Sequence, residues 1–264
     1  MKNYCYIFSI LLIFLLPAPR TVRADKPALP RPSARGDYIE ADRFQVTVRF
    51  PRQSFDPRSD SEGEYRDRIR VSGCDEDAAP GRPLLPRYYC RVIIPAPFAF
   101  QSLQIDETRK TDLPGSWQIR PAGYPVRFSA EEKPAEAVPD PDIYARESRW
   151  PERAVEYRTV QSQRGVRYLT FQITPAAYYP ALNRLEAVEE IRFTVALKPC
   201  PLTTEEWGPV NEAFAAVIRE KTVNPDDLDL YYSTTPPGIS GVEYLIVTDR
   251  SLSKPFEAFA AWKR

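Results

Sequence analysis

The chain is 264 residues long and carries 36 lysines and arginines against 36 aspartates and glutamates, so its charge offers nothing to a polyanion and nucleic acid is not an expected ligand. It contains no histidine at all, which excludes imidazole acid–base chemistry, a Cys-His dyad and a His-containing zinc site built from these residues. Proline is used 28 times against 10 glycines, a balance that disfavours long helices and suits short strands, sheet edges and rigid turns.

In chain order, the first element is a targeting segment. Lys2 provides a positive start, residues 4–16 are almost wholly apolar, and Pro17 and Pro19 interrupt the run before Val22-Arg23-Ala24. The run is shorter than the roughly 20 residues of a spanning helix, so it reads as a signal peptide cut between Ala24 and Asp25. The product is expected to be exported, extracellular or at the cell surface, with no membrane segment after the signal is removed. About 240 residues then remain, enough for one large domain or two smaller ones. Arg35-Gly36-Asp37 matches an integrin-binding tripeptide, but three common residues in a polar stretch carry little information.

Residues 43–50 alternate between Phe44, Val46, Val48, Phe50 and a polar face, the period of a half-buried antiparallel strand. A polar loop follows, then a strand around Ile69 and Val71. Residues 88–95 hold the continuous run Val92-Ile93-Ile94, which predicts a central strand covered on both faces. A short strand is expected over 117–120, and the charged, proline-rich stretch 131–151 is expected to be the longest exposed loop, anchored only by Ile143, Tyr144 and Trp150. Residues 154–160 and 166–174 flank Gly165 as a hairpin, and a further alternating strand carries Ile191, Phe193, Val195 and Leu197.

After Pro201 the texture changes. Thr203 and Glu206 form a capping-box pair, and apolar residues at Val210, Phe214, Val217 and Ile218 recur at helical spacing to about Lys221. Residues 224–241 read as a proline-rich linker, and 242–264 as one apolar strand and one helix, the opening of an α/β domain whose apolar faces await more sheet. The expected fold is therefore mainly β: a sandwich-like domain over 25–223 with one short helix, a linker, and the start of an interrupted α/β domain.

Three cysteines remain after the signal, Cys74, Cys90 and Cys200. Cys74 and Cys90 flank a turn-rich stretch and could be joined in an oxidising compartment, or all three could be free. The carboxylate clusters Asp75-Glu76-Asp77 and Asp140/Asp142 match no calcium loop. No metal or other cofactor is expected, and no catalytic residue is assigned in this chain.

Several segments, in order, resemble the precursors of gingipain-family cysteine peptidases: Gly81-Arg82-Pro83-Leu84-Leu85-Pro86 before Val92-Ile93-Ile94-Pro95, Ile119-Arg120-Pro121, the Arg164-Gly165 turn, and Tyr178-Tyr179-Pro180 leading to Leu185 and Ile191. Tyr244-Leu245-Ile246-Val247, with Phe259, Trp262 and Lys263, looks like the first strand and helix of the family's catalytic domain. The resemblance implies a zymogen in which the pro-domain inhibits and helps to fold a cognate cysteine protease domain in cis. The family's catalytic histidine and cysteine are not among these residues. A basic side chain blocking the specificity pocket would be Arg146 or Arg149, and activation cutting would follow Arg219 or Lys221. The rival readings are a stand-alone exported β-sandwich binding module and a protease inhibitor acting in trans.

Overall fold

The computed structural model describes residues 30–40, 42–59, 65, 67–76, 78–95, 97–124, 137–163, 165–201, 212–232 and 248–262. The signal peptide with its Ala24/Asp25 junction, the Thr203/Glu206 pair and the strand at 244–247 lie outside the described residues.

Eleven strands are described: β1 (Ser33–Glu40), β2 (Arg43–Arg49), β3 (Phe55–Ser59), β4 (Asp67–Val71), β5 (Asp75–Glu76), β6 (Pro86–Ile93), β7 (Phe98–Leu113), β8 (Val155–Gln163), β9 (Val166–Ile173), β10 (Ala176–Tyr179) and β11 (Arg184–Pro199). The helices are α1 (Pro141–Tyr144), α2 (Glu212–Lys221), α3 (Asp227–Tyr231) and α4 (Ser253–Trp262).

β11 organises the first sheet. One of its edges pairs with β7 along its whole length, and the other pairs with β10 and then β2, with β1 outside β2. The second sheet runs β5-β6-β9-β8, and β3 and β4 form a separate ribbon. All these pairings are antiparallel. The alternation legible in 43–50 and 191–197 is the pleat of β2 and β11. Phe44, Val46, Val48, Ile191, Phe193 and Val195 are all buried, and Phe193 stands opposite Val46 on one side and Ile105 on the other. Across the sandwich these side chains meet the inner face of β9, where the Phe171 and Phe193 rings lie 5.3 Å apart.

β6 and β9 are covered on both faces, as the unbroken apolar run predicted. Val92 and Leu169 belong to the main core, while Ile93, Val166 and Tyr168 point the other way and are roofed by Phe214, Ala215 and Ile218 of α2. Val217 of the predicted helical stripe stays 40% exposed. The β8–β9 hairpin is present, with Gln163 opposite Val166 and Gly165 at φ 90°, a conformation that penalises any side chain.

Four expectations are corrected. Residues 33–40, read as a polar stretch, are the edge strand β1, with Gly36 opposite Val46. Residues 98–113 form the longest strand beside β11, where no strand was predicted. Its apolar residues Phe98, Phe100, Leu103 and Ile105 break alternation because the register with β11 shifts between Ala196 and Leu197, inserting one residue between Phe100 and Ser102. Residues 117–120 make only an isolated bridge, Ile119 to Asp67.

The fourth correction concerns the linker. Residues 224–232 are not a spacer, because Asn224, Leu228 and Tyr232 are buried against the second sheet. The Asn224 carboxamide accepts from the Ile93 N–H (2.8 Å) and donates to the Ile93 carbonyl (2.9 Å). The Tyr232 hydroxyl donates to the Ile94 carbonyl (2.9 Å) and accepts from the Arg167 N–H (3.0 Å). Pro225, one of the prolines that suggest a linker, instead helps to build the turn into α3.

Candidate functional site

Three of the motif segments, 81–86, 119–121 and 178–180, come together although the first and last lie about a hundred residues apart in sequence. The Leu84 N–H donates to the Arg120 carbonyl and the Ala122 N–H to the Arg82 carbonyl, so Gly81–Leu85 and Ile119–Pro121 run side by side. Tyr178 donates and accepts backbone hydrogen bonds with Trp150 (2.9 and 2.6 Å), and its hydroxyl accepts from the Ile119 N–H at 3.3 Å. Tyr144 completes the cluster, donating its hydroxyl to the Ile119 carbonyl at 2.8 Å and packing edge-on against Tyr65. Burial pushes the Tyr178 phenol up to about 12 and the Tyr144 phenol higher, so both remain neutral hydrogen-bonding groups.

Against this platform lies the segment carrying Arg146 and Arg149. Asp140 caps α1 by accepting from the Asp142 N–H (3.0 Å), and Pro141 occupies the first turn, where its missing N–H costs nothing. Ile143 and Tyr144 are buried, and the Ala181 N–H donates to the Arg146 carbonyl. Residues 137–151 are therefore folded back onto the body at both ends, and the expectation of an exposed loop does not hold for them. The three anchors expected there, Ile143, Tyr144 and Trp150, are the ones that hold it.

The two arginines differ. The Arg146 Nε donates to the Asp142 carbonyl (2.8 Å), Nη1 donates to Glu152 (3.1 Å), and its guanidinium lies 5.9 Å from the Trp150 ring centre, which Arg82 also approaches at 5.5 Å. Arg149 keeps Nε and Nη2 buried with no hydrogen-bond partner among the described residues, an arrangement that costs free energy. Next to it, Tyr179 is overlain by Arg184 at 4.0 Å and donates to Glu186 at 3.0 Å.

The activation candidates lie at the opposite side of β6. Arg219 sits inside α2 with its guanidinium closed by Asp229 (2.7 and 3.0 Å) and Glu212 (3.2 Å). Lys221 is the exposed last residue of the helix. Cys74, Cys90 and Cys200 are all free thiols, so the pairing of Cys74 with Cys90 is not made. Cys90 is fixed opposite Phe171 inside the main core and Cys74 follows the turn after β4. Burial pushes each of these two thiols up to about 12, which leaves neither a thiolate nucleophile at neutral pH. Among the described residues no group of three or more acidic or cysteine side chains converges to hold a metal ion, and no helix is long and apolar enough to cross a membrane.

No family model and no curated protein matches this chain by sequence. Solved structures do match. The complex of the RgpB pro- and mature domains from Porphyromonas gingivalis contains a chain that superposes with a TM-score of 0.58 at 15% identity, over 74% of this chain and 97% of the matched one. The fold is that of a gingipain pro-domain. A structure on the zymogenic latency of gingipain K from the same organism agrees, with a TM-score of 0.52 at 17% identity over 67% of this chain and 96% of the matched one. The gingipain pro-domain fold thus accounts for the β-sandwich. Sequence reasoning missed Asn224 and Tyr232, whose roles depend on where β6 ends. The Asn-Pro pair at 224–225 was a turn signal, and it was absorbed into the linker.

Proposed function

We propose that this chain is the pro-domain part of an exported gingipain-like cysteine endopeptidase zymogen, in which the β body inhibits the catalytic domain and assists its folding. The observation that carries this reading is the match to the two gingipain structures, which takes in 97% and 96% of the matched chains at 15% and 17% identity. The meeting of segments 81–86, 119–121 and 178–180 on the Tyr144–Tyr178 platform supports it, because these segments carry the resemblance to gingipain precursors. The absence of histidine from all 264 residues agrees with an inhibitor rather than a complete peptidase. Export is carried in this reading by the apolar amino-terminal segment, and activation by cutting after Arg219 or Lys221. Lys221 is the more accessible of the two, since Arg219 must first leave two carboxylates.

Within this reading Arg146 and Arg149 face the protease. Arg146 reaches a pocket only if its contact with Glu152 opens, and Arg149 only if its buried Nε and Nη2 are uncovered for a protease backbone or carboxylate to accept from them. The test is inhibition of a gingipain-type catalytic domain by the purified chain. Stoichiometric loss of peptidase activity is expected. The Arg146→Ala, Arg149→Ala double variant is expected to inhibit a protease specific for basic residues at least about tenfold less well, since two charge-assisted contacts are removed. Unchanged inhibition by the double variant removes both arginines from the mechanism. No inhibition by the wild-type chain at saturation defeats the zymogen reading and favours the binding module.

A further inference from the structure

We propose that Val223–Tyr232 is a non-covalent anchor that keeps the chain beyond it joined to the β body after the backbone is cut at Lys221. From the zymogen reading this takes only the idea that the connection is cut near the end of α2; the anchor itself is a property of the fold.

Val223 ties the two sheets together through one residue. Its N–H donates to the Arg91 carbonyl of β6 at 2.9 Å, and its carbonyl accepts from the Gly36 N–H of β1 at 3.2 Å. A side chain at position 36 would place Cβ 3.1 Å from a Val223 methyl, so the glycine of Arg35-Gly36-Asp37 spares a tight contact at this crossing. Asn224 then takes the place of a strand residue at the end of β6, its carboxamide satisfying both polar groups of Ile93. The second amide hydrogen is used as well, donated to Asp227 at 2.6 Å, so the orientation of the side chain is determined by three bonds. One turn of α3 carries the chain to Leu228, which is fully buried, and to Tyr232, whose hydroxyl bridges β6 and β9.

A cut after Lys221 leaves α2 on the body and places Val223–Tyr232 on the other fragment. The contacts that cross the cut include a buried apolar cluster of Ile218, Phe214 and Ile93 around Leu228 and Tyr232, the backbone bonds of Val223, the paired amide bonds of Asn224, the hydroxyl bonds of Tyr232, and the Arg219–Asp229 ion pair. None of them depends on the Lys221–Thr222 peptide bond. Severing that bond therefore removes covalent linkage without removing the interface. The body and the following chain part only when Asn224 and Tyr232 leave β6, or when a second cut falls beyond Tyr232. Any direct contact between the body and a catalytic domain adds to this anchor, because both act on one pair of fragments.

The experiment inserts a recognition sequence for a site-specific protease between Lys221 and Thr222 of the full chain, cuts to completion, and follows both fragments by gel filtration at about 50 µM, a concentration that retains complexes of micromolar affinity. Co-elution of the fragments is expected, with retention weakened tenfold or more by Asn224→Ala together with Tyr232→Phe, which strand buried backbone groups of Ile93, Ile94 and Arg167. Immediate separation of the cut wild-type fragments overturns the anchor. If the insertion prevents folding, hydrogen exchange on the unmodified chain decides: the Ile93 and Arg167 amides should be as slow as their β6 and β9 neighbours, and should become fast in the double variant. Fast exchange of those two amides in the wild-type chain also overturns it. Neither readout involves a protease, so the anchor and the zymogen reading fail separately.

Discussion

The pentapeptide Glu-Ala-Phe-Ala-Ala occurs twice in this chain, at 212–216 in α2 and at 257–261 in α4. In α2 its phenylalanine, Phe214, is 8% exposed and Ala215 is fully buried, because the second sheet presents Ile93, Val166 and Tyr168 to that face. In α4 the same phenylalanine, Phe259, is 40% exposed, beside Phe256 at 42% and Trp262 at 73%. Both segments form ten-residue amphipathic helices. Local sequence thus suffices for the helix and its stripe, while burial depends on an opposing surface that the pentapeptide does not encode.

The largest effect should come from testing that contrast directly. Phe214→Ala is expected to destabilise the body by about 3–5 kcal/mol, the usual cost of emptying a buried aromatic site, whereas Phe259→Ala should change denaturant stability by no more than about 0.5 kcal/mol. A Phe259→Ala penalty above about 2 kcal/mol would show that α4 is covered by the body and would erase the distinction. Next, thiol labelling sharpens the division between core and periphery. With Cys74 and Cys90 each pushed from 9.0 up to about 12, roughly a thousandfold less thiolate is present at a given pH. Under native conditions alkylation monitored by mass spectrometry should stop at Cys200, and all three thiols should react after unfolding. Rapid native labelling of Cys90 would mean that the main core opens easily.

The smallest expected effect is the pH dependence contributed by Glu76. Burial opposes its ionisation, but the hydrogen bond and charge of Arg68, with help from Arg70 and Arg120, outweigh burial and hold the carboxyl below its ordinary 4.5. Its stabilisation is therefore complete above the unfolded value and is lost as the pH falls through the lower folded one. Denaturation midpoints measured from pH 6 downward should decline less steeply below 4.5 in Glu76→Gln than in wild type. Identical slopes would assign the acid response to other carboxylates.

Legibility followed physical regularity. β2 and β11 were readable because each buries one face and so alternates strictly, and β6 because both of its faces are covered. β7 was not readable: its bulges displace the apolar residues from a two-residue period, and much of its length is edge surface. β1 was hidden by small and polar residues, since an edge strand held by β2 and Val223 needs little apolar content of its own. At the candidate site, Tyr144 and Trp150 were visible as anchors and Tyr178 as part of a motif segment, but not that they join segments a hundred residues apart. Arg146 and Arg149 were visible as basic residues, but not that one is engaged by Glu152 and the other has two buried donors without acceptors among the described residues.

By itself the sequence determined the mainly β class, the strictly alternating strands, the amphipathic helix before Lys221 and the exclusion of histidine chemistry, because each follows from composition or from a local period. Only the tertiary structure decided that residues 224–232 belong to the body, that Cys74 and Cys90 stay apart as free thiols, and which of two identical pentapeptides is buried. Those outcomes depend on backbone groups and apolar faces contributed by distant strands, and such partners become neighbours only when the sheets have assembled.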